Sequence, residues 1–175
     1  YSGRVQHIND FAERRAAYGA QIERLKAVLK ELRSRDLAPA IVSGGGTGTF
    51  AIDTVSGVFT ESQAGSYVFM DVEYEAVQLF PAMKNPWQHS LFLRASVVSA
   101  NVPGQVTVNA GFKSFATDGP APAVYGDSAP GMRYEFYGDE YGRLLLDAGV
   151  TPPALGSTAD LFTSHCDPTI NLHDW

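Results

Sequence analysis

The chain has 175 residues, enough for one large domain or two small ones, and its 45% hydrophobic content supports an ordinary packed core. No apolar run is long enough to cross a bilayer, which argues against a membrane-spanning protein. The net charge of -6 gives no basic face for nucleic-acid phosphates.

A lone cysteine, Cys166, has no partner for an internal disulfide and fits a reducing cytoplasm. The start Tyr1-Ser2-Gly3-Arg4 carries no apolar signal segment and no initiator Met, and Asn171-Leu172-His173-Asp174-Trp175 stops within an alternating pattern. These ends read as those of a fragment of a longer protein.

In chain order, Asp10-Phe11-Ala12-Glu13 has capping-box spacing, and Ile22, Leu25, Leu29 and Leu32 form the stripe of an amphipathic helix. Asp36 to Pro39 is expected to end that helix, because the ring of Pro39 cannot continue it. Ala38 to Val42 is short and apolar, as in a buried strand, and helix followed by strand points to an αβ unit of a parallel sheet. It runs into Ser43-Gly44-Gly45-Gly46-Thr47-Gly48-Thr49. A second strand is expected around Val58 to Glu61, followed by a tight Ala64-Gly65 turn. From Leu91 onward, alternating β-branched segments at Leu91–Ala100, Gln105–Asn109, Arg133–Tyr137 and Arg143–Leu146 predict antiparallel β structure. Two domains follow: residues 1–72, α/β, and residues 73–175, all-β, with the boundary between Asp71 and Pro86.

Three segments carry chemistry. In Ser43 to Thr49, four glycines let backbone N–H groups converge on an anion, and hydroxyls add donors. The spacing is neither a P-loop nor a dinucleotide fingerprint, and a plain flexible loop is the alternative. Glu61 to Tyr67 offers further N–H and OH groups at Gly65, Ser66 and Tyr67, or is a simple β-turn. In His165-Cys166-Asp167-Pro168-Thr169, an extended backbone puts His165 and Asp167 on one face, with an imidazole nitrogen and a carboxylate oxygen for Mn, Mg, Co or Zn. The alternative is a surface His and Asp near a turn. His7, His89 and His173 have no partner at a telling spacing.

Taken together and in register, Ser43–Thr49, Thr60–Asp71 and Ser164–Leu172 resemble the D-threonine aldolases, relatives of D-serine dehydratase and alanine racemase among the fold-type III pyridoxal-phosphate enzymes. Lesser matches run through Gln6-His7-Ile8, Ala110-Gly111-Phe112-Lys113 and Gly138-Asp139-Glu140-Tyr141-Gly142. The resemblance implies the C-terminal end of an alanine-racemase-like (β/α)8 barrel followed by an antiparallel β domain. It implies cofactor-phosphate contacts from Gly44, Gly45, Thr47, Gly65 and Ser66. Gln63 takes the place from which alanine racemases reach the pyridine nitrogen with Arg, and Tyr1 that of a pocket tyrosine. His165 and Asp167 match the aldolases' metal ligands, whereas the dehydratases place Cys two residues after the His.

The implied protein is a cytoplasmic homodimer. It uses pyridoxal 5'-phosphate and a divalent metal to cleave β-hydroxy D-amino acids of the D-threonine or 3-hydroxyaspartate type to glycine and an aldehyde. The alternatives are a D-serine or 3-hydroxyaspartate dehydratase-like ammonia-lyase and a non-catalytic binding fragment. Two departures stand out. The family's Schiff-base lysine follows the first barrel strand, and Lys26, Lys30, Lys84 and Lys113 all lie elsewhere. Asn109 replaces an expected Asp before Ala110-Gly111-Phe112-Lys113.

Overall fold

The computed structural model describes residues 2–126 and 130–174. It divides into two compact units, residues 1–68 with 74–87 and residues 69–73 with 88–175. Among the described residues, no helix is long and apolar enough to cross a membrane.

The first unit is built on helices α1 (Gly3–Gln6) and α2 (Phe11–Ser34). Asp10 accepts from the Glu13 N–H at 2.8 Å, as the capping spacing predicts. Tyr18, Ile22 and Leu29 turn inward and pack with Val5, Phe11, Ile52 and Val58. The helix ends just ahead of Asp36–Pro39. It stops at Ser34, where Asp36 takes a left-handed conformation (φ 59°). The Asp36 N–H returns to Arg33 O and the Leu37 N–H to Leu32 O, at 3.2 and 2.9 Å. This is a Schellman stop with Asp in the position glycine favours, and it acts before the proline is reached.

Parallel pairing is present but shorter than expected. Strand β1 is Ser43–Gly44 and β2 is Glu61–Ser62, with Ser43 opposite Glu61 and Gly44 opposite Ser62. Ala38 to Ile41 lie outside the ladder, with Ile41 64% exposed. Val42 is held instead through Thr60, whose hydroxyl accepts the Val42 N–H at 2.8 Å. Parallel strands are normally flanked and covered on both faces, and among the described residues β1 pairs only with β2. The short helix α3 (Phe50–Ser56) follows the Gly-rich turn and ends at left-handed Gly57. The brief helix α4 (Val72–Glu75) lies where the chain passes between the units.

The second unit holds six antiparallel strands: β3 (Phe92–Ser99), β4 (Gln105–Val108), β5 (Ala123–Val124), β6 (Met132–Phe136), β7 (Gly142–Leu146) and β8 (Thr158–Phe162). Their spatial order is β5-β8-β3-β4-β7-β6. The two edge strands, β5 and β6, come against each other, so the sheet nearly closes on itself and leaves little open edge. Alternate residues face inward: Val97, Val106, Val108, Tyr134, Leu144 and Leu161 form the core with Phe115. The Tyr134 hydroxyl donates to Ala110 O at 2.8 Å, and burial pushes its pKa well above the usual tyrosine value. Helix α5 (Cys166–Ile170) follows β8 directly.

Candidate functional site

Within the first unit the two glycine-bearing turns meet. Pairing of β1 with β2 brings their C-terminal ends together, and the Gln63 N–H donates to Gly44 O at 2.9 Å. One turn later, the Tyr67 N–H donates to Thr47 Oγ1 at 3.1 Å. Gly44, Gly45, Thr47, Gly65 and Ser66 therefore belong to one local structure. Gln63 is exposed just beyond β2. Tyr1 lies outside the described residues.

The glycines are not alike. A Cβ on Gly44 would stand 2.8 Å from Phe59, on Gly46 2.8 Å from Gln6 Oε1, and on Gly48 2.0 Å from Gln6 O. Gly45, with φ 83°, would meet Asp53 Oδ2 at 2.2 Å. These four glycines are required by the packing behind the turn. Gly65 is different: a Cβ there meets nothing within 4 Å, so it faces open space.

Behind the Gly-rich turn sits a buried polar group that sequence reading did not single out. Asp53 on α3 is 2% exposed; its Oδ2 accepts from Thr49 Oγ1 at 2.7 Å, and the carboxyl also interacts with the Gly46 backbone N–H. Gln6 donates to Thr49 Oγ1 at 3.0 Å and accepts the Thr49 N–H at 3.2 Å. Burial is the main influence on the Asp53 carboxyl and raises its pKa, with the Thr49, Tyr18 and Gly46 hydrogen bonds opposing that rise. Its signs in the sequence were the Gln6-His7-Ile8 segment and Thr49 at the end of the Gly-rich run. A cavity of about 280 Å³ lies beside Gly44 and Gly45, walled by Tyr18, Ile22, Leu25 and Phe59.

In the second unit, the His165–Asp167 segment departs from the expected extended form. His165 is extended (φ -139°, ψ 119°), but the helix starts immediately after it, so Asp167 lies in the first turn of α5. Two features start the helix there. The carboxylate of Asp71, fully buried, accepts the Cys166 N–H at 3.0 Å and so caps the first turn from a distant segment. Pro168 is compatible with a first helical turn. Met70, immediately before Asp71, is buried and takes a left-handed conformation (φ 55°), a strained arrangement for this residue type.

The pair is nonetheless brought together. His165 Nε2 lies 3.5 Å from Asp167 Oδ2, and Asp167 is 67% exposed at its side chain. Cys166 is buried away from solvent. On its other nitrogen, His165 Nδ1 lies 3.0 Å from Asp118 Oδ2, a carboxylate that sequence spacing gave no reason to notice. Among the described residues no group of three His, Cys, Asp or Glu side chains is set to hold a metal, so any ion here needs water or substrate as further ligands. The donor set fits a divalent ion that accepts mixed nitrogen and oxygen ligands. A cavity of about 610 Å³ in this unit is lined by residues including Phe92, Arg94, Thr163, Thr169 and His173 and does not include His165 or Asp167.

The four lysines are accounted for at the surface. Lys26 pairs with Glu23 at 2.8 Å, Lys113 pairs with Glu140, and Lys30 and Lys84 are exposed.

Known proteins resemble the chain over nearly its whole length. Residues 90–175 match the model of the putative serine dehydratase domain family. A D-threonine aldolase from an Arthrobacter species is 40% identical over 99% of the chain, and a 3-hydroxy-D-aspartate aldolase of Paracoccus denitrificans is 36% identical over all of it. In both cases the chain spans 45% of the relative's length. The crystal structure of D-threonine aldolase from Filomicrobium marinum superposes with a TM-score of 0.89 at 38% identity, over 98% of this chain and 45% of that one. The fold alone is shared with an alanine-racemase-like protein of Idiomarina loihiensis, at a TM-score of 0.77 and 15% identity, over 98% of this chain and 49% of that one. The expected architecture, the end of an alanine-racemase-like barrel followed by an antiparallel β domain, is therefore the architecture found. By sequence and by fold, the chain belongs to the family of the D-threonine aldolases and 3-hydroxy-D-aspartate aldolases.

Proposed function

We propose that this chain is the phosphate- and metal-binding half of an aldolase that cleaves β-hydroxy D-amino acids, of the D-threonine or 3-hydroxyaspartate type, to glycine and an aldehyde. The observation that carries the reading is the His165 Nε2–Asp167 Oδ2 pair at 3.5 Å, with a carboxylate rather than a thiolate as its second member. Gly65 and Ser66, with Gly44, Gly45 and the Thr47 hydroxyl, hold the phosphate of pyridoxal 5'-phosphate. Residues 1–72 accordingly act as the cofactor side and residues 73–175 as the metal side.

Bound pyridoxal phosphate supplies an electron sink for carbon–carbon cleavage. A divalent ion supplies positive charge beside the substrate's β-hydroxyl. The chain's own residues do the positioning. The Tyr67 N–H fixes the Thr47 oxygen, leaving the hydroxyl proton available to donate to the phosphate. Asp71 holds the first turn of α5, so that His165 and Asp167 keep their spacing. None of the four lysines stands at the phosphate turns, so the Schiff-base lysine is assigned to the rest of the protein. The reading also implies a homodimer in the cytoplasm, the first of which sedimentation of the full-length protein tests.

A dehydratase is the second reading, favoured by the match of residues 90–175 to the serine dehydratase domain model. The two are separated by their products. The full-length protein with D-threonine is expected to give glycine and acetaldehyde; 2-oxobutyrate and ammonia as the main products would transfer it to the dehydratases. Asp167→Ala is expected to abolish stimulation by divalent ions while leaving the cofactor's absorbance largely in place. An unchanged metal response would remove Asp167 from the site.

A further inference from the structure

Asp118 lies 47 residues before His165 in sequence, in an irregular segment with no pattern that marks it as functional. Three hydrogen bonds nevertheless stitch that segment to the start of α5. The Ala116 N–H donates to Thr169 Oγ1 at 3.0 Å, Thr169 Oγ1 donates to His165 O at 2.7 Å, and Ser164 Oγ donates to Ala116 O at 2.7 Å. Thr169 and Ser164 are buried, so these bonds are shielded from competition with water. They set the backbone at Ala116, two residues before Asp118, against the backbone at His165. The Asp118 carboxylate then meets the imidazole at Nδ1, 3.0 Å away, on the opposite side of the ring from Asp167.

An imidazole can offer a lone pair to a metal from only one nitrogen while the other carries the proton. A carboxylate at Nδ1 accepts a proton there, and that choice leaves Nε2 as the free donor atom. Nε2 is the nitrogen that faces Asp167. We propose that Asp118 is the positioning residue of the His165 imidazole: it keeps the proton on Nδ1 and turns the Nε2 lone pair toward the side on which Asp167 stands. This inference rests on the reading of His165 and Asp167 as metal ligands. It adds a residue that touches neither metal nor substrate and that acts through the ring it orients. Outer carboxylates of this kind typically govern metal affinity by about 10–100-fold.

The test is a titration of the chelator-treated full-length protein with Mn²⁺, in which the electron paramagnetic resonance signal of the free ion reports binding without any turnover. Wild type is expected to bind, and His165→Ala to lose that binding. Asp118→Ala is expected to weaken Mn²⁺ affinity by about 10–100-fold. Asp118→Asn, whose amide oxygen can take the same Nδ1 proton, is expected to recover most of that loss. The Asp118 side chain is 58% exposed, so truncation removes little packing. Should Asp118→Ala still fail to fold, the nitrogen shifts of ¹⁵N-labelled histidine in the wild-type protein give the tautomer directly. Protonation at Nδ1 supports the proposal, and protonation at Nε2 overturns it. Equal Mn²⁺ affinity in wild type and Asp118→Ala overturns the role of Asp118 while leaving His165 as a ligand. Absence of any His165-dependent Mn²⁺ binding in wild type overturns the metal reading itself, and the role of Asp118 with it.

Discussion

Replacing Asp53 tests whether the Gly-rich turn is shaped from behind. Asp53 Oδ2 accepts from Thr49 Oγ1 at 2.7 Å, and the same buried carboxyl interacts with the Gly46 N–H and the Tyr18 hydroxyl. Asp53→Ala takes that acceptor from Thr49 and Gly46, and from Tyr18, whose hydroxyl also has Thr49 and Ser2 as partners. At about 1–3 kcal/mol for each buried group left unpaired, the loss is roughly 2–5 kcal/mol, since Thr49 keeps its contact with Gln6. Asp53→Asn retains an oxygen acceptor in the same place and removes the ionisable group.

The sign of the pH dependence follows from the direction of the shift. Burial raises the Asp53 pKa in the folded protein above its ordinary value of 3.8, so the folded state holds the proton more tightly than the unfolded chain. The stabilising contribution of that protonated form is complete below 3.8 and is lost as pH rises through the raised folded value. Asn never ionises and escapes that loss. The stability of Asp53→Asn relative to wild type is therefore expected to improve between acidic and neutral pH, while Asp53→Ala is destabilised throughout. Urea unfolding of the full-length protein, followed by the unfolding transition of its cofactor-bearing part at several pH values, measures both. If Asp53→Asn is as destabilised as Asp53→Ala at every pH, the carboxyl's place behind the turn has been misread.

The glycines give a paired expectation. Gly48→Ala drives a Cβ to 2.0 Å from Gln6 O and should destabilise by about 1–3 kcal/mol or more, read by thermal unfolding. Gly65→Ala meets nothing within 4 Å and should leave unfolding unchanged while raising the dissociation constant for pyridoxal phosphate, read by absorbance titration. A fall in stability at Gly65 equal to that at Gly48 would contradict its exposure to open space. Thr169→Val removes the bonds to Ala116 and His165 at nearly constant volume and should destabilise the β-rich unit by about 1–3 kcal/mol, with weaker Mn²⁺ binding as a second readout. Unaltered unfolding and metal affinity would show that this stitch does not order the His165 segment.

Much of the architecture was legible because it depends on local patterns. The stripe through Ile22 and Leu29 and the cap at Asp10 specify α2, since a 3.6-residue period leaves one face to bury. Alternation specifies the antiparallel strands β3, β4, β6 and β7. Strand β5, of two residues, is too short to show alternation, and β8 is interrupted by Asp160, which pairs with Arg94 across the strands at 2.8 Å. The run from Ala38 to Val42 reads as a strand by composition. A strand, however, is completed by neighbours, and the ladder here begins only at Ser43.

Alone, then, the sequence determined the two classes of secondary structure, the glycine-bearing turns and the His165–Asp167 spacing. Each of these is carried by residues close together along the chain. Tertiary structure decided which glycines serve packing and which faces open space, because that depends on Gln6, Phe59 and Asp53 arriving from other segments. It also decided that His165 and Asp167 meet across the first turn of a helix rather than along a strand. That outcome required Asp71, 95 residues before Cys166, to cap the turn. The carboxylate at His165 Nδ1 was beyond local reading for the same reason: no periodicity relates residues 118 and 165, and buried hydrogen bonds between distant segments bring them to 3.0 Å.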